Sequence, residues 1–373
     1  MPLDLIPVTT AVTAADEGWI NRLANFTHQN FIWLLICCYL CAGFFPGFGL
    51  MIRVISFGQV SLLGASTPVS ASMVMLAILM INATMSVERL SGLVSSPRLL
   101  LAGIGANMFL PVVVLYFVSI AMSYLGASEN LEAIIVALSL LSTVPVAGAS
   151  TAYTQNTDGD LALAVGLVLT STFLCPLLMH VPLNLINLVA VGDYTQTFSK
   201  MEGGGTILVL ILAVILPSFF GLCIRPLIGT ARIKSAKPGL KLVNSGSLLL
   251  LNYTNAAIAL PKLFSNPDWG FLASAFLFST LLCLVDFVSG WWIARLLRAT
   301  PGQQLAMMFG VGLNNNSTAL VLGSLVFFNQ PKILVPLIFY GLIQHLVAGG
   351  STQVLALFSR LSARNAVLGL SRA

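Results

Sequence analysis

The chain alternates long apolar runs with short polar connections, a pattern typical of a protein that crosses a membrane many times. A helix needs about 20 apolar residues to span the hydrocarbon core of a bilayer. Ten runs approach that length, at residues 31–52, 67–87, 99–124, 131–156, 160–187, 205–228, 242–262, 270–297, 303–328 and 332–357. The sequence therefore predicts an all-α polytopic membrane protein with ten transmembrane helices.

Two of these runs are interrupted by residues that are poor in a helix interior. The fourth contains Val-Pro-Val-Ala-Gly-Ala-Ser-Thr at 144–151, and the ninth contains Gly-Val-Gly-Leu-Asn-Asn-Asn-Ser at 310–317. A broken backbone inside a membrane is tolerated only where protein or water satisfies its polar groups. Interrupted helices at corresponding places in two halves indicate a transporter's binding site. We expect the helix breaks at Pro145, Gly148, Gly310 and Gly312.

The spacing of the runs predicts an inverted repeat. Corresponding spans of the two halves start at an offset of roughly 171–175 residues, and five spans in each half force opposite orientations. The expected divisions are a tail at 1–30, a first repeat at 31–187, a second at 205–357 and a cytoplasmic tail at 358–373. The basic stretch 225–241, with Pro226 and Pro238, is expected to be the loop between the halves.

Composition and charge narrow the class of protein. The chain is 57% hydrophobic and only 8% charged, which excludes an ordinary soluble domain. The net charge of +5 does not indicate nucleic-acid binding, because most Lys and Arg residues fall on loops of one side. By the positive-inside rule that side is cytoplasmic. This predicts a multi-pass protein of the cell membrane with both termini in the cytoplasm.

The N-terminal segment 13–25 has the pattern of an amphipathic helix. Thr13 can cap it, and Trp19, Ile20 and Leu23 share one face. Such a helix is expected to lie on the bilayer surface.

Side-chain oxygens and amides concentrate at the two interruptions, where they could bind a small ligand or an ion. The same side chains could instead form hydrogen bonds between helices, as Ser, Thr and Asn often do in membranes. Two such clusters, each in the fourth span of a five-span unit, favour a binding site. The candidate residues are Asn107, Ser150, Thr151, Thr154, Asn314, Asn315, Asn316, Ser317 and Thr318, and the weaker candidates in the seventh span are Asn252, Tyr253, Thr254 and Asn255.

Asp286 is the one acid that cannot be placed in a loop or near a span end. An ionisable group in that position is costly and is commonly functional. It is either a proton or cation site, or a buried structural acid bonded to a neighbour such as Ser289. A buried carboxyl without a counter-ion would suit proton exchange.

Other polar residues give weaker signals. His28, His180 and His345 lack metal-ligand spacing, and the cysteines are scattered in apolar runs without a metal or redox motif. Asp158 and Asp160 could hold a divalent metal, but a turn with Asp160 capping the next helix is the stronger interpretation. No hydrolase or nucleotide-binding motif is present in the sequence, so we predict neither an enzyme nor a cofactor.

The interrupted spans resemble those of the bile acid:sodium symporter family. The resemblance is carried by Leu-Leu-Ser-Thr-Val-Pro at 140–145, Ala149-Ser150, Ser171-Thr172, Cys175-Pro176, Val-Gly-Leu-Asn-Asn at 311–315 and Ala319-Leu320. It implies two inverted five-helix repeats, with helices 4 and 9 crossing near the membrane centre beside sodium. It also implies a panel domain of helices 1, 2, 6 and 7, and a core domain of helices 3–5 and 8–10.

The resemblance implies a secondary transporter that moves organic anions by alternating access. A sodium site would lie near Ser150, Thr151 and Asn314, but the family's acid is replaced by Gly310 and its hydroxyl ligands by Ala164 and Val168. Coupling to protons through Asp286, no coupling, and a rearranged sodium site all remain open. The alternative function is a membrane sensor that binds a small organic anion at the crossing without moving it.

Overall fold

The computed structural model describes residues 18–62, 65–85, 96–124, 129–179, 181, 204–327 and 330–367, and helices make up nearly all of them. The elements are α1 (Trp19–Gln29), α2 (Phe31–Phe44), α3 (Gly47–Val54), β1 (Ser56–Leu62), β2 (Ala65–Ser70), α4 (Ala71–Met85), α5 (Pro97–Ser123), α6 (Glu129–Ser139), α7 (Ala149–Asn156), α8 (Leu161–Leu178), α9 (Gly204–Leu210), α10 (Leu216–Ile228), α11 (Thr230–Ser265), α12 (Trp269–Leu296), α13 (Pro301–Gly312), α14 (Asn316–Val326) and α15 (Leu334–Val367). A 3-10 turn, Leu140–Thr143, follows α6, a π turn, Ile211–Ile215, joins α9 to α10, and a 3-10 turn, Pro331–Ile333, precedes α15.

Several helices are long and apolar enough to cross a bilayer. Within the described residues five meet that test: Pro97–Ala121, Leu161–Leu178, Ile207–Ile228, Trp269–Leu296 and Leu334–Ser351. Shorter apolar helices lie at Ala71–Met85, Asn130–Thr143 and Asn316–Val326. The protein is therefore a mostly helical, polytopic membrane protein.

The first two predicted spans differ from the structure. The run 31–52 is divided at Phe45 and Pro46 into α2 and α3, because proline lacks the N–H that a continuous helix needs. The run 67–87 begins in β2, which pairs antiparallel with β1. The all-α prediction is wrong for this hairpin. Its Ser, Thr and Val residues favour extended backbone, and Gly58 adopts a φ of 109° that suits glycine.

The basic segment 225–241 is helical, so its prediction as a loop is wrong. α10 ends at Ile228, Gly229 has a φ of 85°, and α11 begins at Thr230. One glycine therefore makes the turn, and the Ala, Lys, Leu and Arg residues beyond it are good helix formers. At the other end of the chain, α15 continues past the predicted span end at 357 to Val367.

The amphipathic N-terminal segment forms α1, which begins after Gly18. The proposed Thr13 cap lies outside the described residues. Trp19, Ile20 and Leu23 are exposed, as expected of a helix that rests on a bilayer surface.

Loops that the charge pattern assigns to the same side lie together. At one end, the Asp160 N–H donates to the Gly302 carbonyl (2.8 Å), and the Gln303 side chain donates to Ser96 (3.0 Å). At the other end, Asn130 donates to the Asp268 carboxylate (2.9 Å) and accepts from Lys332 (3.2 Å). These contacts join loops from both halves of the sequence at each end of the molecule.

Asp268 should make stability depend on pH at the second of these ends. Its carboxylate accepts from the Phe271 N–H at the start of α12, and that bond, with the Asn130 amide and the Lys332 charge, lowers its pKa. A lowered pKa in the folded state gives stability that is present above the unfolded-state pKa and is lost as pH falls through the folded-state value. Asp268→Ala should therefore lower the melting temperature at pH 7, and the difference from wild type should shrink as the pH is lowered toward 2. An equal difference at both values would show that the carboxylate charge is not involved.

The helices pack in two groups. In one, α11 packs against α2, α3 and α4, and α4 packs against α10. In the other, α12 packs against α5, α13 and α15, and α13 also contacts α7 and α8. The two interruptions lie in the second group.

Candidate functional site

The two interruptions meet and pair as a short antiparallel bridge between Val146 and Asn314. The Ala147 N–H donates to the Leu313 carbonyl (2.8 Å), and the Asn315 N–H donates to the Pro145 carbonyl (2.9 Å). Each break therefore supplies the other with the hydrogen bonds that its own helix cannot make, which meets the requirement for non-helical backbone inside a membrane protein.

The next helix of each half supports its own break. The Val146 N–H donates to the Ser171 hydroxyl of α8 (3.0 Å), and the Asn314 N–H donates to the Gln344 amide oxygen of α15 (3.1 Å). The two halves of the chain thus contribute equivalent hydrogen bonds. Each break makes one hydrogen bond to the other break and one to the helix that follows it in its own half. We refer to residues 144–148 and 313–315, with the first turns of α7 and α14, as the crossing.

Asn314 is the centre of a buried polar chain at the crossing. Its Oδ1 accepts from the Asn107 Nδ2 (2.6 Å), and its Nδ2 donates to the Tyr340 hydroxyl (2.9 Å). The Tyr340 hydroxyl in turn donates to Asp286 Oδ2 (2.8 Å). All four residues are fully buried, so side chains from α5, α12, α15 and the crossing form one connected network.

Asp286 is therefore joined to the crossing, but through a different partner from the one expected. The sequence suggested Ser289, three residues along the same helix, whereas the structure gives Tyr340 on α15. Asp286 Oδ1 and Asn107 Oδ1, which stand at the two ends of the chain, have no hydrogen-bond partner among the described residues. Buried polar atoms without partners are costly, so both ends are able to bind a further group.

Two half-helices begin at the crossing. Asn315 caps α14 by accepting from the Thr318 N–H (3.2 Å), while α7 begins after Gly148 without a side-chain cap. Their N-termini bring N–H groups and the positive ends of two helix dipoles to one place. Three oxygens in these first turns, on Ser150, Asn316 and Thr318, are buried and have no partner in the described part of the chain.

The remaining predicted site residues have local partners. Thr151 donates to the Gly148 carbonyl and Thr154 to the Ser150 carbonyl, each 2.8 Å away in the same segment. Ser317 is buried in the first turn of α14. Of the predicted sodium trio, Ser150 has an unpartnered oxygen, Thr151 is turned back onto its own helix, and the Asn314 oxygen is already taken by Asn107.

The glycines of the ninth span allow close packing. A Cβ at Gly310 would lie 2.5 Å from Leu167 Cδ1, and one at Gly312 would lie 2.3 Å from the Phe287 ring. A larger side chain at position 310 would therefore overlap Leu167 of α8, so the packing of α8 on α13 requires a glycine there.

The weaker candidate residues that the structure describes contact neighbouring side chains or cap and bond their own helices. His345 lies beside Tyr153 (3.5 Å) and against the Phe31 ring, while the side chains of His28 and His180 lie outside the described residues. Asp160 caps α8 as predicted, and within the described ranges no group of three His, Cys, Asp or Glu residues could hold a metal. In α11, Asn252 accepts from Tyr39 and Tyr253 donates to the Phe45 carbonyl, whereas Thr254 and Asn255 donate within their own helix.

Sequence reasoning missed the roles of Tyr340, Gln344 and Ser171. Ser171 is the middle residue of a Thr-Ser-Thr run in α8, and Tyr340 and Gln344 both lie in α15, where nothing local identifies their partners. Tyr340 is 54 positions from Asp286 in the chain. A polar residue that recurs in the helix after each break is the signal that could have identified Ser171 and Gln344.

Comparison with known proteins shows which family the chain matches and identifies a bacterial relative. Residues 29–356 match the model of the SBF-like CPA transporter family. The chain is also 24% identical over 214 residues to "Uncharacterized protein YbaS" of Bacillus subtilis (strain 168). That match covers 57% of this chain and 66% of the relative, so the chain spans just under two thirds of the relative's length.

Proposed function

Because the chain belongs to the SBF-like CPA transporter family, we propose that it is a secondary active transporter that moves small organic anions by alternating access. The observation that carries the proposal is the crossing, where two broken helices bridge at Val146 and Asn314. Broken helices that meet inside the membrane expose half-helix ends and backbone groups, which transporters use to bind substrates and ions.

The proposed architecture is ten helices in two inverted repeats. It is supported by the reciprocal bonds at the crossing and by the matching roles of Ser171 and Gln344. In this proposal, the panel domain contains α2–α4 and α9–α11, and the core domain contains α5–α8 and α12–α15. The crossing belongs to the core, which moves against the panel to change access.

Anion recognition in this proposal rests on dipoles and amides. Lys and Arg are absent from the crossing segments 144–151 and 310–318. The N-termini of α7 and α14 and the amides of Asn107 and Asn316 would bind a carboxylate or sulfate group. Ser150 and Thr318, whose hydroxyls are buried without partners, would add hydrogen bonds.

The coupling ion that we favour is the proton, taken up at Asp286. This acid is fully buried, lacks a cationic partner among the described residues, and is bonded through Tyr340 to Asn314. A transporter that binds an anion and a proton together avoids carrying a net charge through the bilayer. In the sodium trio predicted from the resemblance, Thr151 and Asn314 already have hydrogen-bond partners, whereas Ser150 has none in the described structure, and the trio contains no carboxylate to balance a cation, so we favour the proton.

The proposed location is the cell membrane, with both termini in the cytoplasm. The clustering of loops from both halves at each end of the molecule agrees with the charge pattern on which that orientation rests. The lipid bilayer is thus a partner of the protein, and α1 would lie on its cytoplasmic surface.

Counterflow in proteoliposomes tests the proposal. Vesicles preloaded with an unlabelled monocarboxylate or sulfated steroid should accumulate the same labelled compound for at least one member of such a panel. Asn107→Leu should abolish that uptake, while Asn255→Leu, which replaces a buried asparagine whose amide donates within its own helix α11, should preserve it. Binding of an anion without exchange would identify a sensor instead, and neither binding nor exchange across the panel would contradict organic-anion transport.

A further inference from the structure

The hydrogen bonds among the four buried side chains all run in the same direction. Asn107 donates to Asn314, Asn314 donates to Tyr340, and Tyr340 donates to Asp286. Every N–H or O–H thus points toward the carboxylate, which is the arrangement that an ionised acid requires, because a carboxylate only accepts hydrogen bonds. At the far end Asn107 Oδ1 is left as a buried oxygen without a partner in the described structure.

A tyrosine hydroxyl and an amide can each donate and accept, so the same chain can run in the opposite direction. A proton that enters at Asp286 forms an O–H that donates to Tyr340. Tyr340 then turns its own O–H to the Asn314 oxygen, and Asn314 donates to Asn107 Oδ1 once both amides have turned over. Three hydrogen bonds exist before and after. The one O–H bond formed at Asp286 replaces an O–H bond of the hydronium ion that delivers the proton, and no covalent bond of the protein breaks.

We propose that the protonation state of Asp286, acting through Tyr340, sets the direction of the hydrogen bonds at the crossing. Proton uptake reverses these hydrogen bonds and changes the free group of Asn107 from an oxygen to an N–H. This inference rests on the proposed function of the crossing as an anion site. In the ionised state the free Asn107 oxygen disfavours an organic anion. In the protonated state the free Asn107 N–H can donate to a carboxylate, so proton uptake prepares the site for its substrate.

Tyr340 is the positioning residue in this arrangement, since it connects Asp286 with Asn314 and does not touch the free Asn107 end of the hydrogen-bonded chain. The titratable groups that interact with Asp286 in the described part of the chain are Tyr340 and the Cys283 thiol of its own helix. Of the other helices packed on α12, α13 carries no titratable residue, α6 has Glu129 and Glu132 in its first turn beside the Asp268 end, and α5 has Arg98 and Tyr116. The hydrogen bonds of a buried polar network polarise one another, so a change in protonation at one end alters the hydrogen bonds at the other end.

Infrared difference spectroscopy on the full chain in liposomes, stepped through pH with protons as the only ligand, tests the switch. In wild type, a protonated-carboxyl C=O band should appear together with a change in the side-chain carbonyl bands of isotope-labelled asparagine, with one common midpoint. Asp286→Asn should remove the asparagine change and the component of the carboxyl band that shares its midpoint, and should leave the bands of the other acids in place. Tyr340→Phe should keep the carboxyl band but lose the asparagine change, and Cys283→Ser should leave both intact.

The change in the asparagine carbonyl bands should also shrink in Asn107→Ala, because this substitution removes the last member of the hydrogen-bonded chain. The proposal is overturned if the wild-type asparagine bands do not follow the carboxyl band, or if they still follow it in Tyr340→Phe. Neither result depends on transport. A protein that switches but shows no counterflow would contradict the proposed function alone, and one that transports without switching would contradict this inference alone.

Discussion

Asn314→Leu should destabilise the protein by roughly 2–5 kcal/mol, because it leaves buried partners of Asn314 without hydrogen bonds at about 1–3 kcal/mol each. The substitution removes the acceptor of Asn107 and the donor to Tyr340, and both of these residues are fully buried. Leucine has the same branching at Cγ as asparagine but makes no hydrogen bond, and the same substitution in the control below accounts for its larger volume. The expected result is a clear fall in the apparent melting temperature of the detergent-purified protein.

Asn255→Leu is the matched control for this prediction. Asn255 is also fully buried, but its amide donates to Leu251 in its own helix, and its Oδ1 has no partner within the described ranges. Its replacement should change stability by no more than about 1 kcal/mol. Equal losses for the two substitutions would show that the buried chain does not contribute to stability beyond ordinary burial of an amide.

Gly290→Ala should also be strongly destabilising, since α12 and α13 pack backbone against backbone at this position. An added Cβ would lie 2.5 Å from the Met307 carbonyl oxygen and 2.9 Å from Val311 Cβ. A carbonyl oxygen in a helix cannot move away alone, so the helices must separate. Overpacking of this kind costs about 1–3 kcal/mol, and separation of α12 and α13 would disturb Asp286 one turn away.

Gly105→Ala provides the comparison on α5, where an added Cβ meets nothing within 4 Å. Here alanine should raise helix stability by about 0.5–1 kcal/mol because it restricts the unfolded backbone. Thermal unfolding of the two variants in the same detergent measures the difference. Similar melting temperatures for both variants would contradict the close approach of α12 and α13.

The main features of the site could be predicted because they depend on local chemistry. Proline, glycine and three consecutive asparagines disfavour a helix whatever surrounds them, so the breaks near Pro145 and Gly312 were predictable. Asp286 was conspicuous because an acid is rare within an apolar run. Which residues satisfy these groups depends on tertiary packing, and the sequence pattern does not report it.

The features that the sequence reasoning missed or predicted wrongly also depend on tertiary packing or on structural context that the local pattern does not report. Tyr340 was missed because an aromatic residue in an apolar helix has no periodic signal that identifies its hydroxyl as a hydrogen-bond partner. Segment 67–70 was assigned to a span because its composition is mildly apolar, whereas its pairing with β1 is a nonlocal contact. The α11 extension was missed because Pro238 suggested a loop, although that proline lies within the helix.

The central claim is that the two helix breaks form one site, and a disulfide across the bridge tests it most directly. Val146 and Asn314 face each other between two hydrogen bonds, a pairing with a Cα separation of about 4.5 Å that is suitable for a disulfide. With the six native cysteines replaced by alanine, the pair Val146→Cys and Asn314→Cys should crosslink on mild oxidation in protein that elutes as a folded species. The pair Val146→Cys and Leu320→Cys, displaced along α14, should not. Failure of the first pair to crosslink in folded protein, or equal crosslinking of both pairs, would contradict the crossing.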